Sequence, residues 1–462
     1  MPLHLPAPSF KTRLLFSACC LFSLNLLAEP AELKPIGPGL TPYGAEQAAS
    51  QDKMIPEWQG GLTPDNMPAV KQGLENPFKN EKPLYVITSK NADQYPSLLT
   101  PGQLALLKTY PDTYRLPVYP THRTAAAPSW VYRNIASNHA NATLVNDGNG
   151  IQQSQGGVAF PVPKQADGEY DAQKIIWNHI TRWAGMYVTM RFSESAVQRN
   201  GSYVLTTSEM QYYSLYNNPE LTANNLNNRL FYLLGQIREP ARLSGDAILI
   251  HETLDRTLQE RQSWVYNTGT KRVIRTPSVA YDTPAPASDN LVTMDDTDMF
   301  NGALDRYDWH FLGKQIKLIP YNHFDLSNTT HDDKQVLKTG HINPELTRYE
   351  AHRVWVVEAT LKKGTRHIYH KRRFYLDEDT WSIVESDKYD ARGDLWRVSL
   401  NYLVNYYHVP ATLPALIAHH DLQAQRYFAG FLDNSKGIAV QFHDTAPQES
   451  HFTPQNLRRL GR

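Results

Sequence analysis

The chain has 462 residues, with 46 Lys and Arg balanced by 46 Asp and Glu, so its formal net charge is zero. We do not expect it to bind nucleic acid, because phosphate binding depends on clustered Lys and Arg, and no basic run is present. Disorder is excluded as well, since 9 Trp, 26 Tyr and 15 Phe supply more buriable surface than disordered chains carry.

The N-terminal 28 residues have the pattern of a secretory signal peptide. Two basic residues precede an apolar stretch from Leu14 to Ala28, which ends in a small residue. Both cysteines, Cys19 and Cys20, lie within this stretch, so cleavage at its end would leave a mature chain without a disulfide. The alternative is a lipoprotein signal with Cys19 as the modified residue. Residues 1–28 therefore predict export to the periplasm, with association with the outer membrane left open.

Residues 29–165 are rich in proline and turn-forming residues and are predicted to form a long irregular N-terminal arm with short helices. Thr41-Pro42 and Thr100-Pro101 each have the pattern of a helix N-cap followed by proline at the first helical position. Because of its Tyr and Pro content, we expect the arm to be ordered and wrapped over the rest of the protein.

The region 166–410 changes from a helical to a strand pattern. Apolar residues recur at helical spacing over 172–184, with Asp171 placed to cap the helix. From Met186 onward apolar and polar residues alternate, and short turns such as Asn267-Thr268-Gly269-Thr270 separate successive strand patterns. The predicted fold class is mainly β, a large curved antiparallel sheet with helices on one side. Residues 411–462 are predicted to form a C-terminal helix and tail on the same body.

No sequence motif identifies a catalytic site. Nucleophile elbows, phosphate-binding loops, dinucleotide fingerprints and zinc motifs are missing from the sequence. His419-His420-Asp421 offers metal-ligand types, but adjacent residues of a predicted helix point about 100° apart, so surface or capping histidines are the better interpretation. The acidic stretch Asp295–Asp308 fails the EF-hand spacing, which favours a solvated loop over a calcium site. We predict no catalytic residue, no metal and no cofactor.

Seven residues on neighbouring strand patterns are the candidates for ligand binding. They are Trp355, Val357, Trp396, Val398, His352, Arg353 and Arg373. The apolar members either fill the core of the sheet or line a groove on its concave face, and periodicity alone does not separate these interpretations. The basic members either pair with nearby acidic residues or form a patch for an anionic head group.

Short motifs along the whole mature chain point to a family. In order they are LTPYGAE at 40–46, IPEWQGG at 55–61, NPF at 76–78, LTPGQ at 99–103, VYPTHR at 118–123, FPVP at 160–163, WNH at 177–179, DRYDW at 305–309, YEAHRVWVV at 349–357 and FTPQNLRR at 452–459. Together they resemble the family known as domain of unknown function 1329.

This resemblance implies an exported protein of Gram-negative bacteria. Its fold is implied to be similar to that of the lipoprotein carriers LolA and LolB, an unclosed antiparallel half-barrel with helices on the concave side. The resemblance also implies traffic of envelope lipids or other hydrophobic molecules, together with an outer-membrane protein and a transporter of the resistance-nodulation-division type. It supplies no catalytic residues.

The leading hypothesis is a monomeric periplasmic carrier or chaperone that holds an amphipathic lipid or other hydrophobic molecule in a groove. Apolar burial of about 0.8 kcal/mol per methylene would hold a long acyl chain without covalent chemistry. The alternatives are an envelope enzyme that acts on glycan or lipid and a ligand-free scaffold for a transporter. Paired carboxylates at glycosidase spacing, or a histidine oriented beside a nucleophile, would favour the enzyme.

Overall fold

The computed structural model describes residue 1 and residues 35–67, 74–276, 281–327, 330–434 and 440–460. The predicted signal peptide, including Cys19 and Cys20, lies outside the described residues. Among the helices of these ranges, none is long and apolar enough to cross a membrane.

Most of the regular structure is β-strand. The strands are β1 (Tyr85–Ile87), β2 (Leu116–Val118), β3 (Thr143–Val145), β4 (Gly150–Gln152), β5 (Tyr187–Val197), β6 (Thr206–Ser214), β7 (Arg229–Glu239), β8 (Ala247–Thr253), β9 (Gln262–Asn267), β10 (Arg272–Thr276), β11 (Tyr307–Pro320), β12 (Tyr349–Leu361), β13 (Lys371–Asp377), β14 (Ile383–Tyr389), β15 (Leu395–Tyr406), β16 (Ala411–Asp421), β17 (Arg426–Leu432) and β18 (Val440–His443). The α-helices are α1 (Pro101–Thr109), α2 (Ser129–Asn141), α3 (Ala172–Thr181), α4 (Asp333–Val336) and α5 (Pro454–Leu460).

Sixteen of these strands form one sheet. Two antiparallel meanders, β5 to β10 and β11 to β17, join where β17 pairs with β5. In the described ranges the outer strands β10 and β11 pair only with their inner neighbours, so the sheet is not closed. One parallel bridge, Tyr349 to Val118, attaches β2 of the N-terminal arm to β12 and makes the sheet mixed. The prediction of a mainly β, unclosed sheet is confirmed.

Both faces of the sheet are covered by protein. Trp355 lies opposite Leu376 and Val357 opposite Phe374, and we call their side the Trp355 face. Val398 projects on the other side, which we call the Val398 face. Helices α2 and α3 belong to the apolar cluster on the Trp355 face, whereas α1 belongs to the cluster that contains Val398. The helices therefore pack on both faces of the sheet and not on one side alone.

The helix predicted over 172–184 is present as α3, which begins at Ala172 and ends three residues early, at Thr181. Asp171 caps it, because its carboxylate accepts from the backbone N–H groups of the second and third helical residues. Thr100 likewise caps α1 with a capping box, with Gln103 as its partner. Thr41-Pro42 instead forms a turn, in which the Thr41 hydroxyl accepts backbone N–H groups two and four residues ahead.

The sheet does not end at residue 410 as predicted. Strands β16 and β17 continue it, and β16 pairs with β15 from Ala411 to Asp421. Alternation was a weak signal here, because both faces of β16 are covered and its apolar residues run continuously. A C-terminal helix is present only as α5, which contacts β8, β9 and β10.

Candidate functional site

A surface cleft of about 330 Å³ lies between the segment that leads into α3 and the outer strand β11. The leading segment turns back on itself through the bridge between Lys164 and Tyr170. The polar lining residues are Gln165, Glu169, Asp171, Gln173 and His310, and the aromatic ones are Tyr170, Trp309 and Phe311. The exposed lining of the cleft is mostly polar, and the three aromatic side chains contribute only a small part of it.

Aromatic side chains connect the cleft to the core. The ring of Tyr170 makes edge-to-face contacts with Phe311 and Trp355, at centroid distances of 5.2 and 5.1 Å. Trp355 stacks on Trp381 at 5.3 Å, and the two indoles are 2% and 0% exposed. We call these four residues the aromatic column. It runs from the half-exposed wall of the cleft to the interior of the Trp355 face.

The column ends beside paired charges. The Lys314 ammonium lies 4.6 Å from the ring centroid of Trp355, as in a cation–π contact. The same ammonium pairs with Glu46 at 2.9 Å and with Glu378 at 2.8 Å. Although burial favours the neutral amine, these carboxylates outweigh it and raise the pKa of Lys314.

The four apolar candidates do not line one groove. Trp355 and Val357 lie on the Trp355 face, while Val398 lies on the opposite face, and all three are at most 2% exposed. Trp396 is half-buried, and its indole N–H donates to Asp421 at 3.0 Å. Of the four, Trp355 is the residue that the aromatic column connects to the cleft.

The two arginine candidates are ion-paired. Arg353 contacts Glu378 and Glu46, each at 3.3 Å, and Arg373 contacts Glu358 at 2.6 Å. Their guanidinium groups are therefore already matched by carboxylates, and neither residue lines the cleft. The pairing with nearby acidic residues is the interpretation that the contacts support.

His352 is enclosed by carboxylates. Its Nε2 atom lies 3.4 Å from Glu350 and its Nδ1 atom 3.5 Å from Asp377, and the residue is 1% exposed. Burial by itself favours the neutral ring, but the two carboxylates outweigh it and raise the pKa of His352 to about 9. His352, Asp377 and Asp379 bring their donor atoms within 4.8 Å of one another, so these residues could hold a metal ion.

The prediction that the acidic stretch is a solvated loop is wrong for its first two residues. Asp295 and Asp296 are 2% and 0% exposed, because buried cations neutralise them. Arg372 contacts both, at 2.7 and 2.5 Å, and Lys388 contacts Asp296 at 2.8 Å. Burial alone would raise the pKa of Asp295, but the Arg372 charge dominates and lowers it to about 2.

The interpretation of His419 and His420 as surface or capping residues is also wrong. They lie on strand β16, not on a helix, and are 4% and 1% exposed. Burial lowers the pKa of each to about 3, so both rings are neutral. The Ser399 hydroxyl contacts the Nδ1 atom of His419 at 2.7 Å and accepts from Lys388 at 2.8 Å. This group resembles an activated nucleophile, but its burial leaves no approach for a substrate.

Two interacting carboxyl groups that were not among the predicted site residues lie under α1. Glu385 and Asp387 of β14 are both fully buried, and the hydroxyl of Thr100 donates to Glu385. Burial raises the pKa of Asp387 to about 7 and raises that of Glu385 well above its usual value. The nearest signal in the sequence is their alternate spacing, which places both on the face that carries Val398. Gly102 of α1 packs against this carboxyl pair, and both carboxyl residues are fully buried. Because a substrate cannot reach the pair, the geometry of the pair does not favour an enzyme.

Solved structures with partial likeness come from several bacteria. A domain described as an outer membrane lipoprotein-sorting protein domain from Vibrio parahaemolyticus is 14% identical and covers 59% of this chain and 92% of its own, with a TM-score of 0.41. A DUF1329 family protein from Desulfovibrio piger is 13% identical, with coverage of 59% and 92% and a TM-score of 0.39. A LolA superfamily protein from Nitrosomonas europaea is 14% identical, with coverage of 62% and 98% and a TM-score of 0.37.

The sequence comparisons are more extensive. Residues 86–458 match the family model described as protein of unknown function (DUF1329). Uncharacterized protein PA3922 of Pseudomonas aeruginosa is 43% identical over 431 residues, which is 93% of this chain and 93% of the relative. The motif resemblance is thereby confirmed, and the chain belongs to the DUF1329 family.

Proposed function

We propose that this protein is a periplasmic carrier that binds an amphipathic lipid or similar hydrophobic molecule at the cleft beside β11. The cleft carries this proposal, because its volume of about 330 Å³ is that of a small-ligand site and three aromatic side chains lie among its mostly polar lining residues. The apolar part of the ligand packs on Tyr170, Trp309 and Phe311, and its polar group faces Gln165, Glu169 and Gln173. Release to an envelope transporter or outer-membrane protein is the step that the family resemblance implies.

The aromatic column supports a role for Trp355 in this site. Because Tyr170 separates Trp355 from the cleft, a swing of the Tyr170 ring would expose the indole of Trp355 to a bound chain. Trp355 therefore belongs to the deep end of the proposed site. The contacts of the other six candidates do not support a role for them in this site, and we assign the head group to the polar lining of the cleft instead of to Arg353 or Arg373.

The test is binding of an environment-sensitive fatty acid, dansyl-undecanoate, to the purified mature chain. The key variant is Phe311→Arg, which puts a charge among the aromatic side chains of the cleft, and the matched control is Leu312→Arg on the adjacent, exposed position of the same strand. We expect the parent and the control to bind alike, and the Phe311 variant to bind at least about tenfold more weakly, since it loses apolar burial of roughly 1.4 kcal/mol or more.

Two outcomes would contradict the proposal. One is the absence of binding to the parent protein, together with no lipid recovered by solvent extraction and mass spectrometry of material purified from the cell envelope. The other is equal binding by the parent and the Phe311 variant, which would place the ligand outside the cleft.

A further inference from the structure

A second site lies where the N-terminal arm meets the beginning of β12 and the turn that follows β13. His352 of β12, Asp377 at the end of β13 and Asp379 in the turn converge there, with their donor atoms within 4.8 Å of one another. All three side chains are buried, at 1%, 0% and 4% exposure. This group is separate from the cleft and plays no part in the proposed carrier function.

The spacing of the donor atoms fits a metal better than a hydrogen bond. The Nδ1 atom of His352 and the Oδ1 atom of Asp377 are 3.5 Å apart, beyond the usual range of about 2.7–3.2 Å for an N–H···O bond. A tetrahedral ion with bonds of about 2.0–2.1 Å keeps neighbouring ligands roughly 3.3–3.4 Å apart. The pair is thus already close to the separation that such an ion imposes.

The surroundings of the group resemble the supporting contacts of a metal site. The second ring nitrogen of His352 faces Glu350 at 3.4 Å, as in carboxylate–histidine–metal arrangements. Asp379 is held by Arg123, whose Nε and guanidinium N–H groups donate to its two oxygens at 2.8 and 2.6 Å. These contacts fix the orientation of two ligands before any ion arrives.

Two buried polar atoms beside the group have no hydrogen-bond partner. One is Oδ1 of Asp377, although Oδ2 of the same residue accepts from the backbone N–H and the hydroxyl of Thr380. The other is the hydroxyl of Tyr321, whose ring lies 4.1 Å from that of His352. Oδ1 of Asp377 is fully buried and meets Nδ1 of His352 only at the long distance of 3.5 Å, so a coordinated cation would satisfy this oxygen more directly.

The local charges leave room for a divalent cation. Around the group, six carboxylates face four permanent cations. The ion pairs connect them into two networks, one through Arg123, Lys314 and Arg353 and the other through Arg348 and His352. With a neutral His352, as ligation requires, the surplus is two negative charges. The carboxylates are Glu46, Glu81, Glu350, Asp377, Glu378 and Asp379, and the cations are Arg123, Lys314, Arg348 and Arg353.

We propose that His352, Asp377 and Asp379 form a binding site for a divalent transition metal, with zinc as the best match. One imidazole and two carboxylates suit zinc, whereas calcium and magnesium prefer oxygen ligands alone. The site joins the N-terminal arm, through Arg123, to the sheet. A bound ion would therefore stabilise the docking of the arm.

The test begins with protein stripped by a chelator and then incubated with Zn²⁺ or, separately, with Mg²⁺. We expect one Zn²⁺ per chain after desalting, measured by elemental analysis, and a rise in Tm that Mg²⁺ at the same concentration does not produce. Asp377→Asn and His352→Gln should each weaken Zn²⁺ binding at least about tenfold. Glu378→Gln is the matched control, because Glu378 is a buried, ion-paired carboxylate of the same turn that lies outside the ligand group.

Zn²⁺ uptake that is missing in the parent, or that persists unchanged in both ligand variants, would overturn the proposal. Should either variant fail to fold, Co²⁺ added to the unaltered chain replaces it as the decisive measurement. An intense visible spectrum of a tetrahedral site supports the assignment. A weak octahedral spectrum, or none, refutes it.

Discussion

Replacing Gly102 by alanine tests how closely α1 is packed on the buried carboxyl pair. An alanine Cβ at this position would lie 2.2 Å from Oδ1 of Asp387, 2.6 Å from Oε1 of Glu385 and 2.8 Å from a methyl carbon of Val398. Real Cβ atoms do not approach neighbours this closely, so either the helix or the carboxyl pair must move. The backbone N–H of Gly102 also interacts favourably with the Asp387 carboxylate, and a shift of the helix would weaken this interaction.

The expected free-energy change follows from three effects. Overpacking a well-packed core costs about 1–3 kcal/mol. An unpartnered buried carboxyl group costs roughly another 1–3 kcal/mol. Alanine favours a helix over glycine by up to about 1 kcal/mol, which works in the opposite direction. The Gly102→Ala protein should therefore lose on the order of 2–4 kcal/mol in its free energy of unfolding, despite the better helix former.

Urea denaturation followed by tryptophan fluorescence measures this loss as a lower midpoint at constant slope. Leu104→Ala is the control, because Leu104 is 38% exposed on the same helix and its truncation should change stability by no more than about 0.5 kcal/mol. A Gly102→Ala protein as stable as the parent, or more stable, would mean that helix propensity dominates. The close packing of α1 on Glu385 and Asp387 would then be refuted.

Three further predictions concern buried groups. Burial raises the pKa of Asp387 from its usual value of 3.8 to about 7, so between these pH values only the folded state holds the proton, and the free energy of unfolding falls as the pH rises. Asp387→Asn should make this decline less steep in urea titrations between pH 5 and 8. An unchanged decline in the variant would argue against the raised pKa. Arg372→Met removes a cation that two buried aspartates share and should lower the free energy of unfolding by about 3–5 kcal/mol, measured by urea denaturation; a loss below about 1 kcal/mol would be inconsistent with that burial. Trp355→Ala should lower the free energy of unfolding by about 3–5 kcal/mol, and Trp396→Ala should lower it clearly less, because Trp396 is only half-buried. Equal losses of stability in thermal unfolding would contradict this difference in burial.

The sequence predicts the regular parts of the fold well. Helix α3 has one apolar face and a capping aspartate, and the turn at Asn267–Thr270 separates two alternating segments that pair as β9 and β10. In such elements a local pattern reflects one side that is more deeply buried than the other. The pattern is lost where both sides are fully buried, as in β14, whose seven residues are all buried although Glu385, Asp387 and Lys388 are ionisable.

The candidate site is less accessible to sequence analysis. The sequence pattern suggests Trp355 and Val398 for one groove, but the two residues lie on opposite faces, and this division depends on register across several strands. The cleft combines residues near 170 with residues near 310, a pairing that no local pattern encodes. Asp295 was expected in solvent because its partner, Arg372, stands 77 residues away in the chain. Long-range charge pairing is invisible to hydropathy, which places acidic residues outside by default.

We expect the buried ionisable residues of β14 to influence the order in which this chain folds. Its carboxyl pair is covered by α1, which precedes it by more than 280 residues, and its lysine is neutralised by Asp296. A partial chain that lacks either segment would expose charges at the middle of its sheet and could not collapse around them. Folding is slow because these long loops must close first. Until they close, the centre of the incomplete sheet stays hydrated. The buried ionisable groups thus delay the loss of water from the centre of the sheet until α1 and the segment that contains Asp296 have both packed there.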